Sequence, residues 1–181
     1  MFYKYGVKSV SIDDICNEMH ISKKTFYTQF EKKTDLVAEF LKRIRQQKVR
    51  NDQAVLESDN ILEFILSNFK KFAQPSVMEQ HAALFFDLAK YYPELYHAHK
   101  EQKDSNSIDI AMRVLQHGID QGLFRDDLDC ESMAMFMTLG FNFMFEHEKS
   151  IPGSRKARFM LDLFMRTVCS EKGLQYYLEN K

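Results

Sequence analysis

Ser11-Ile12-Asp13-Asp14-Ile15-Cys16-Asn17-Glu18-Met19-His20-Ile21-Ser22-Lys23-Lys24-Thr25-Phe26-Tyr27 is the stretch whose reading decides the fold. Ile12, Ile15, Cys16 and Met19 recur at three- and four-residue spacing, which puts them on one face of a helix. Ser11 stands where its hydroxyl caps that helix, and Asp14, three residues on, completes a capping box. Ser22 caps a second short helix, expected to run through Phe30. Only Met19-His20-Ile21 separates the two, a link too short for anything but a sharply angled pair. The stretch therefore reads as a helix-turn-helix.

Outward from it the periodicity stays helical. Leu36, Val37, Phe40, Leu41 and Ile44 form a stripe on a longer, basic helix from Thr34 to about Arg50. Helices are expected over 60–72, 79–91 and 94–121, the last patterned by Ile108, Ala111, Met112, Leu115 and Ile119. Two more follow, striped by Met133, Phe136, Met137, Gly140, Phe141 and Met144, and by Ala157, Met160, Leu161, Phe164, Met165 and Val168. Both carry further apolar residues off the stripe, among them Leu139, Phe143, Phe159 and Leu163, and a helix apolar on two sides has two partners. The second partner is expected to be another copy of the chain. Pro75, Pro93 and Pro152 fall between periodic segments, and no run alternates as a half-buried strand does. The fold class is all-α, with a helix-turn-helix (homeodomain-like) head at 1–45 and a larger helical domain at 46–181 whose two-sided helices suit dimerisation.

The formal charge of −1 over 181 residues conceals a split. Residues 1–50 hold 11 Lys and Arg against 6 Asp and Glu, a net of +5 that leaves −6 on the rest. A basic head and an acidic body suit a protein that meets phosphates at one end. Three distant cysteines, Cys16, Cys130 and Cys169, show no metal or redox spacing and point to a reducing compartment. With no apolar run long enough to span a membrane and no signal-peptide pattern, the expected location is cytoplasmic, without membrane contact. His97 and His99 point to different sides of a helix, and His81, His117 and His147 are isolated, so no metal is expected. No nucleophile–base set, phosphate loop or carboxylate pair stands out; no cofactor and no enzyme activity are expected.

Residues 2–16, then Ile21-Ser22-Lys23-Lys24-Thr25-Phe26-Tyr27 and Phe30-Glu31-Lys32-Lys33-Thr34-Asp35-Leu36, resemble the DNA-binding start of TetR-family repressors. Tyr92-Pro93-Glu94-Leu95-Tyr96 and 118–125 are similar to weaker sequences common in that family's effector domain. The chain departs from the pattern at His20, where a glycine is common, and at Lys32, where a serine usually caps the fourth helix. The resemblance also implies a first helix that needs residues before Phe2, so that either the start is truncated or the sequence given omits residues, and without them the head's small core lacks a wall.

A recognition helix presents its N-terminal residues to base edges. Lys23, Lys24 and Thr25 stand there, with Gln29 one turn beyond Thr25; Lys suits guanine, Thr a thymine methyl, Gln adenine. The resemblance implies that Ser11, Tyr27 and Lys33 hold the phosphate backbone, while Phe26 and Phe30 are expected in the core. It further implies an effector cavity for an apolar or amphipathic small molecule, with Phe64, Phe69, Met112, Leu115, Met137 and Phe141 as candidate walls and His117 as a polar anchor. The expected function is a ligand-responsive repressor, a homodimer on palindromic double-stranded operator DNA. The alternative is a dimeric helical interaction protein that no longer binds DNA.

Overall fold

The computed structural model describes residues 1–147 and 151–181, the side chains at 102–106, 141–142 and 144–147 excepted. In chain order the helices are α1 (Phe2–Ser9), α2 (Ile12–Glu18), α3 (Lys23–Tyr27), α4 (Lys33–Leu56), α5 (Ile61–Phe72), α6 (Pro75–Tyr91), α7 (Pro93–Asp120), α8 (Cys130–His147), α9 (Gly153–Val168) and α10 (Glu171–Asn180). No strand is present among the described residues, only an isolated bridge between Phe124 and Cys169.

The helix ends follow local chemistry. Pro75 and Pro93 each occupy the first helical position, where the missing N–H is no loss, and Pro152 precedes α9. Asn60 caps α5 by accepting from the amides of Leu62 and Glu63. Ser170 caps α10, whose ten residues the periodicity does not announce. Because proline opens α6, that helix begins four residues before the expected Glu79. Helix α3 stops at Tyr27 rather than Phe30: the Thr28 hydroxyl turns back to the Thr25 carbonyl at 2.6 Å and the chain leaves the helix.

The chain forms two compact units, one of residues 1–49 with 79–103 and one of 50–78 with 104–181. In the first, Val7, Val10, Ile15, Cys16, Phe26, Val37 and Leu41 form a buried cluster. Leu84 and Leu88 of α6 complete it, both fully buried, and Phe30 packs against it. In the second unit the core gathers Ile61, Leu62, Leu66, Leu115, Phe124, Met165, Val168 and Tyr177. Gly118 is needed there for close approach, since a Cβ on it would stand 2.1 Å from the Phe124 ring. Cys16, Cys130 and Cys169 are free thiols. No helix among the described residues is long and apolar enough to cross a membrane.

Candidate nucleic-acid interface

Ser11 and Asp14 form a reciprocal capping box on α2: the Asp14 amide donates to Ser11 Oγ at 3.1 Å and the Ser11 amide to Asp14 Oδ2 at 2.8 Å. Hydrogen bonds from the Ser11 hydroxyl and amide hold the Asp14 carboxyl below the usual carboxylate range. After Glu18 the chain reverses through Met19, and His20 takes φ 54, the left-handed conformation that glycine adopts at less cost. The Ile21 amide then donates to the Cys16 carbonyl at 2.9 Å, closing the turn. Ser22 caps α3, accepting from the Thr25 amide at 3.0 Å, with the two hydroxyls 2.9 Å apart.

One side of α3 is anchored and the other is bare. Phe26 is buried, edge-on to Tyr27 with ring centroids 5.5 Å apart and tilted against Phe30. Lys23, Lys24, Thr25, Tyr27 and Gln29 are exposed, as is Ser11. Gln29 lies past the end of α3. Lys23 pairs with Asp13 at 2.7 Å, both largely exposed, so the pair stabilises little and leaves Lys23 open to competition by a phosphate.

Lys33 is half-buried, and its ammonium faces the end of α1, donating to the Val7 carbonyl and lying 3.5 Å from that of Lys8. Burial lowers its pKa from the ordinary lysine value, against the opposing influence of Asp87 and Asp14. Where a serine cap is missing at Lys32, Asp35 supplies the reciprocal half, accepting the Lys32 amide at 3.0 Å. Asp87 of α6 accepts the Lys8 amide at 3.0 Å. The bond requires Gly6, whose φ of 76 and ψ of 165 are not helical and where a Cβ would stand 2.4 Å from Asp87 Oδ2. No sequence pattern couples residues 79 positions apart, so this contact was not foreseeable.

The candidate effector residues all fall in the second unit. Leu115 is buried in its core, with Phe64 and Met112 packed around it. Phe69 and Met137 are half-buried, and the side chain of Phe141 lies outside the described residues. His117 Nε2 lies 2.9 Å from the Ser58 carbonyl and 2.9 Å from Gln121 Nε2, tying α7 to the turn between α4 and α5. No group of three or more His, Cys, Asp or Glu suited to a metal occurs among the described residues.

Residues 1–40 match the family model described as bacterial regulatory proteins, tetR family. Over those residues the chain is similar to the DNA-binding head of that family. Its fold agrees along nearly the whole length with solved structures. A TetR transcription regulator from Haloarcula marismortui is 18% identical with TM-score 0.65, over 93% of this chain and 92% of that one. A transcriptional regulator from Saccharomonospora viridis in complex with choline is 16% identical with TM-score 0.63, over 94% and 92%. The ketosteroid transcriptional regulator of Mycobacterium tuberculosis is 17% identical with TM-score 0.54, over 94% and 90%. At such identities the likeness is one of fold. No curated protein matched the chain in sequence. The capped α2–α3 pair, with the bare side of α3, lies wholly within the matched residues.

Proposed function

We propose that the chain is a cytoplasmic, ligand-responsive repressor that binds a palindromic operator as a homodimer. The observation that carries this reading is α3 held by buried Phe26 while Lys23, Lys24, Thr25 and Tyr27 stay exposed. In it, Lys23, Lys24, Thr25 and Gln29 meet base edges, Ser11 and Tyr27 meet phosphates, and Lys33 acts through the α1 carbonyls it holds. Dimerisation is supported by an exposed apolar face on α8, with Phe136 63%, Leu139 61% and Phe143 67% accessible, and by Phe159 at 57% on α9. An apolar or amphipathic effector is assigned to Phe64, Phe69, Met112, Leu115, Met137 and Phe141, anchored by His117; that a fold of this kind holds a small molecule is supported by the regulator solved in complex with choline.

The test is fluorescence anisotropy on an array of duplexes at several salt concentrations. Affinity should fall steeply with salt as phosphates are neutralised. Lys24→Ala and Thr25→Ala should change sequence preference, whereas Lys33→Ala should weaken all duplexes alike. Equal losses on every sequence for all three variants, or affinity insensitive to salt, would overturn the assignment.

A further inference from the structure

The second unit holds a cleft of about 540 Å³ at the meeting of α5, α9 and α10. The candidate effector walls lie on α5, α7 and α8, and only Phe69 is common to both. Its floor is apolar: Leu66, Phe69 and Leu161 line it, and its volume is in the range of pockets that hold small organic molecules. Its rim is cationic, with Lys70, Arg158 and Lys181 against the single acid Asp162.

That acid is already satisfied. Asp162 accepts from Arg166 at 2.7 Å and from the Tyr177 hydroxyl at 2.9 Å, and faces Lys181 at 3.5 Å. These partners, Arg166 first, hold its carboxyl down at about 2. Lys70 donates to the Asn180 carbonyl at 2.8 Å and keeps further N–H groups. Arg158 is exposed and has no acid partner among the described residues. An unpaired guanidinium beside an apolar floor suits a planar anion, because its fixed fork matches a carboxylate with two parallel hydrogen bonds.

We propose that this cleft is a second small-molecule site, for an amphipathic monoanion whose apolar chain lies on Leu66, Phe69 and Leu161 and whose carboxylate is held by Arg158 with Lys70 and Lys181 behind it. A cationic amphiphile is rejected by the excess positive charge of the rim. The site stays open in the dimer of the proposed function. Residues 158, 161 and 162 stand roughly a third of a turn round α9 from Phe159 and Leu163, which face the partner in that reading.

The experiment titrates the full chain with decanoate below its micellar concentration, followed by isothermal calorimetry, with decyltrimethylammonium as the control. Decanoate binds and the cation does not. Arg158→Glu weakens decanoate at least tenfold, and Leu161→Trp, which fills the floor, removes binding. Circular dichroism and thermal unfolding of both variants confirm that each is folded; Arg158→Glu alone decides the matter if Leu161→Trp is not. A diazirine-bearing decanoate labels peptides from 66–75 and 158–162. The site is overturned by absence of decanoate binding, by equal affinity for the ammonium amphiphile, by an unchanged affinity in folded Arg158→Glu, or by label confined to 108–140. That last outcome places the ligand among the α7 and α8 walls, and so separates failure of this site from failure of the effector reading.

Discussion

Replacing Gly6 by alanine tests how the head is assembled. The backbone at Gly6, φ 76 and ψ 165, lies in a region that only glycine enters freely, and holding another residue there costs about 1–3 kcal/mol. The added Cβ would also stand 2.4 Å from Asp87 Oδ2 and 3.3 Å from its Cγ, so the carboxylate has to withdraw. Withdrawal breaks the bond from the Lys8 amide, 3.0 Å long, to a charged acceptor. Such a bond contributes about 1.5–3 kcal/mol, and the low end applies because Lys8 is exposed and water replaces the lost partner. Alanine restricts the unfolded chain and returns about 0.4–1 kcal/mol. The expected net loss is about 2–4 kcal/mol, read from urea unfolding followed by circular dichroism. In Gly6→Ala/Asp87→Ala the clash is gone and the bond is lost only once, so the double variant should be less destabilised than the sum of the singles by about 1 kcal/mol. A Gly6→Ala protein within about 0.5 kcal/mol of the parent, or strictly additive losses, would refute the account of this joint.

Three further expectations follow from other contacts. His20→Gly should raise stability by up to about 1 kcal/mol, since a left-handed non-glycine residue costs ~1–2 kcal/mol and the looser unfolded chain takes back part of it; unchanged or lower stability would show that the histidine makes a compensating contact. Leu139→Glu, on the exposed face of α8, should leave helix content intact and yield a monomer by light scattering, and a persistent dimer would place the interface elsewhere. Asp162 is held at about 2 from an ordinary 3.8, so between those values the unfolded chain binds the proton and the folded chain does not. Its stabilisation is therefore full above about pH 4 and lost as pH falls toward 2; Asp162→Asn should flatten that part of the stability profile, and parallel profiles for parent and variant would exclude this role.

The helices were legible where two local devices coincided, a periodic apolar face and a capping residue. Ser11 with Asp14, Ser22 and Asn60 each mark a helix start that the structure places within a residue. Where only one device was present, the reading slipped. Phe26 and Phe30 stand four apart and invite a helix through both, yet Thr28 closes the turn and Phe30 reaches the same core from the following bend. Helix α10 has a good cap in Ser170 but only Leu174, Tyr177 and Leu178 as large aliphatic or aromatic residues near one side, too few to show a period. The exposed side of α3 was readable because recognition-helix positions are counted from the cap. The orientation of Lys33 was not, because it depends on where the end of α1 lies in space.

That end of α1 shows why a head of this kind is not defined by its motif alone. The break at Gly6 leaves the Lys8 amide without a helical acceptor, and the last turn leaves its carbonyls without helical donors. Here side chains from two other helices take them up: Asp87 of α6 accepts the Lys8 amide, and Lys33 of α4 donates to the carbonyls of Val7 and Lys8. Three residues after Lys8 comes Ser11, the cap of α2, so the joint that opens the helix-turn-helix is clamped by one acid and one base of opposite charge. Leu84 and Leu88, on the same helix as Asp87, fill the core beneath Phe26, which fixes α3. Burial and hydrogen bonding thus bind α6 to the end of α1 and to the core that holds α3. A change in the register of α6 by one residue would take Asp87 away from Gly6 and exchange leucines for exposed positions in the core, two penalties that make its seat discrete rather than gradual.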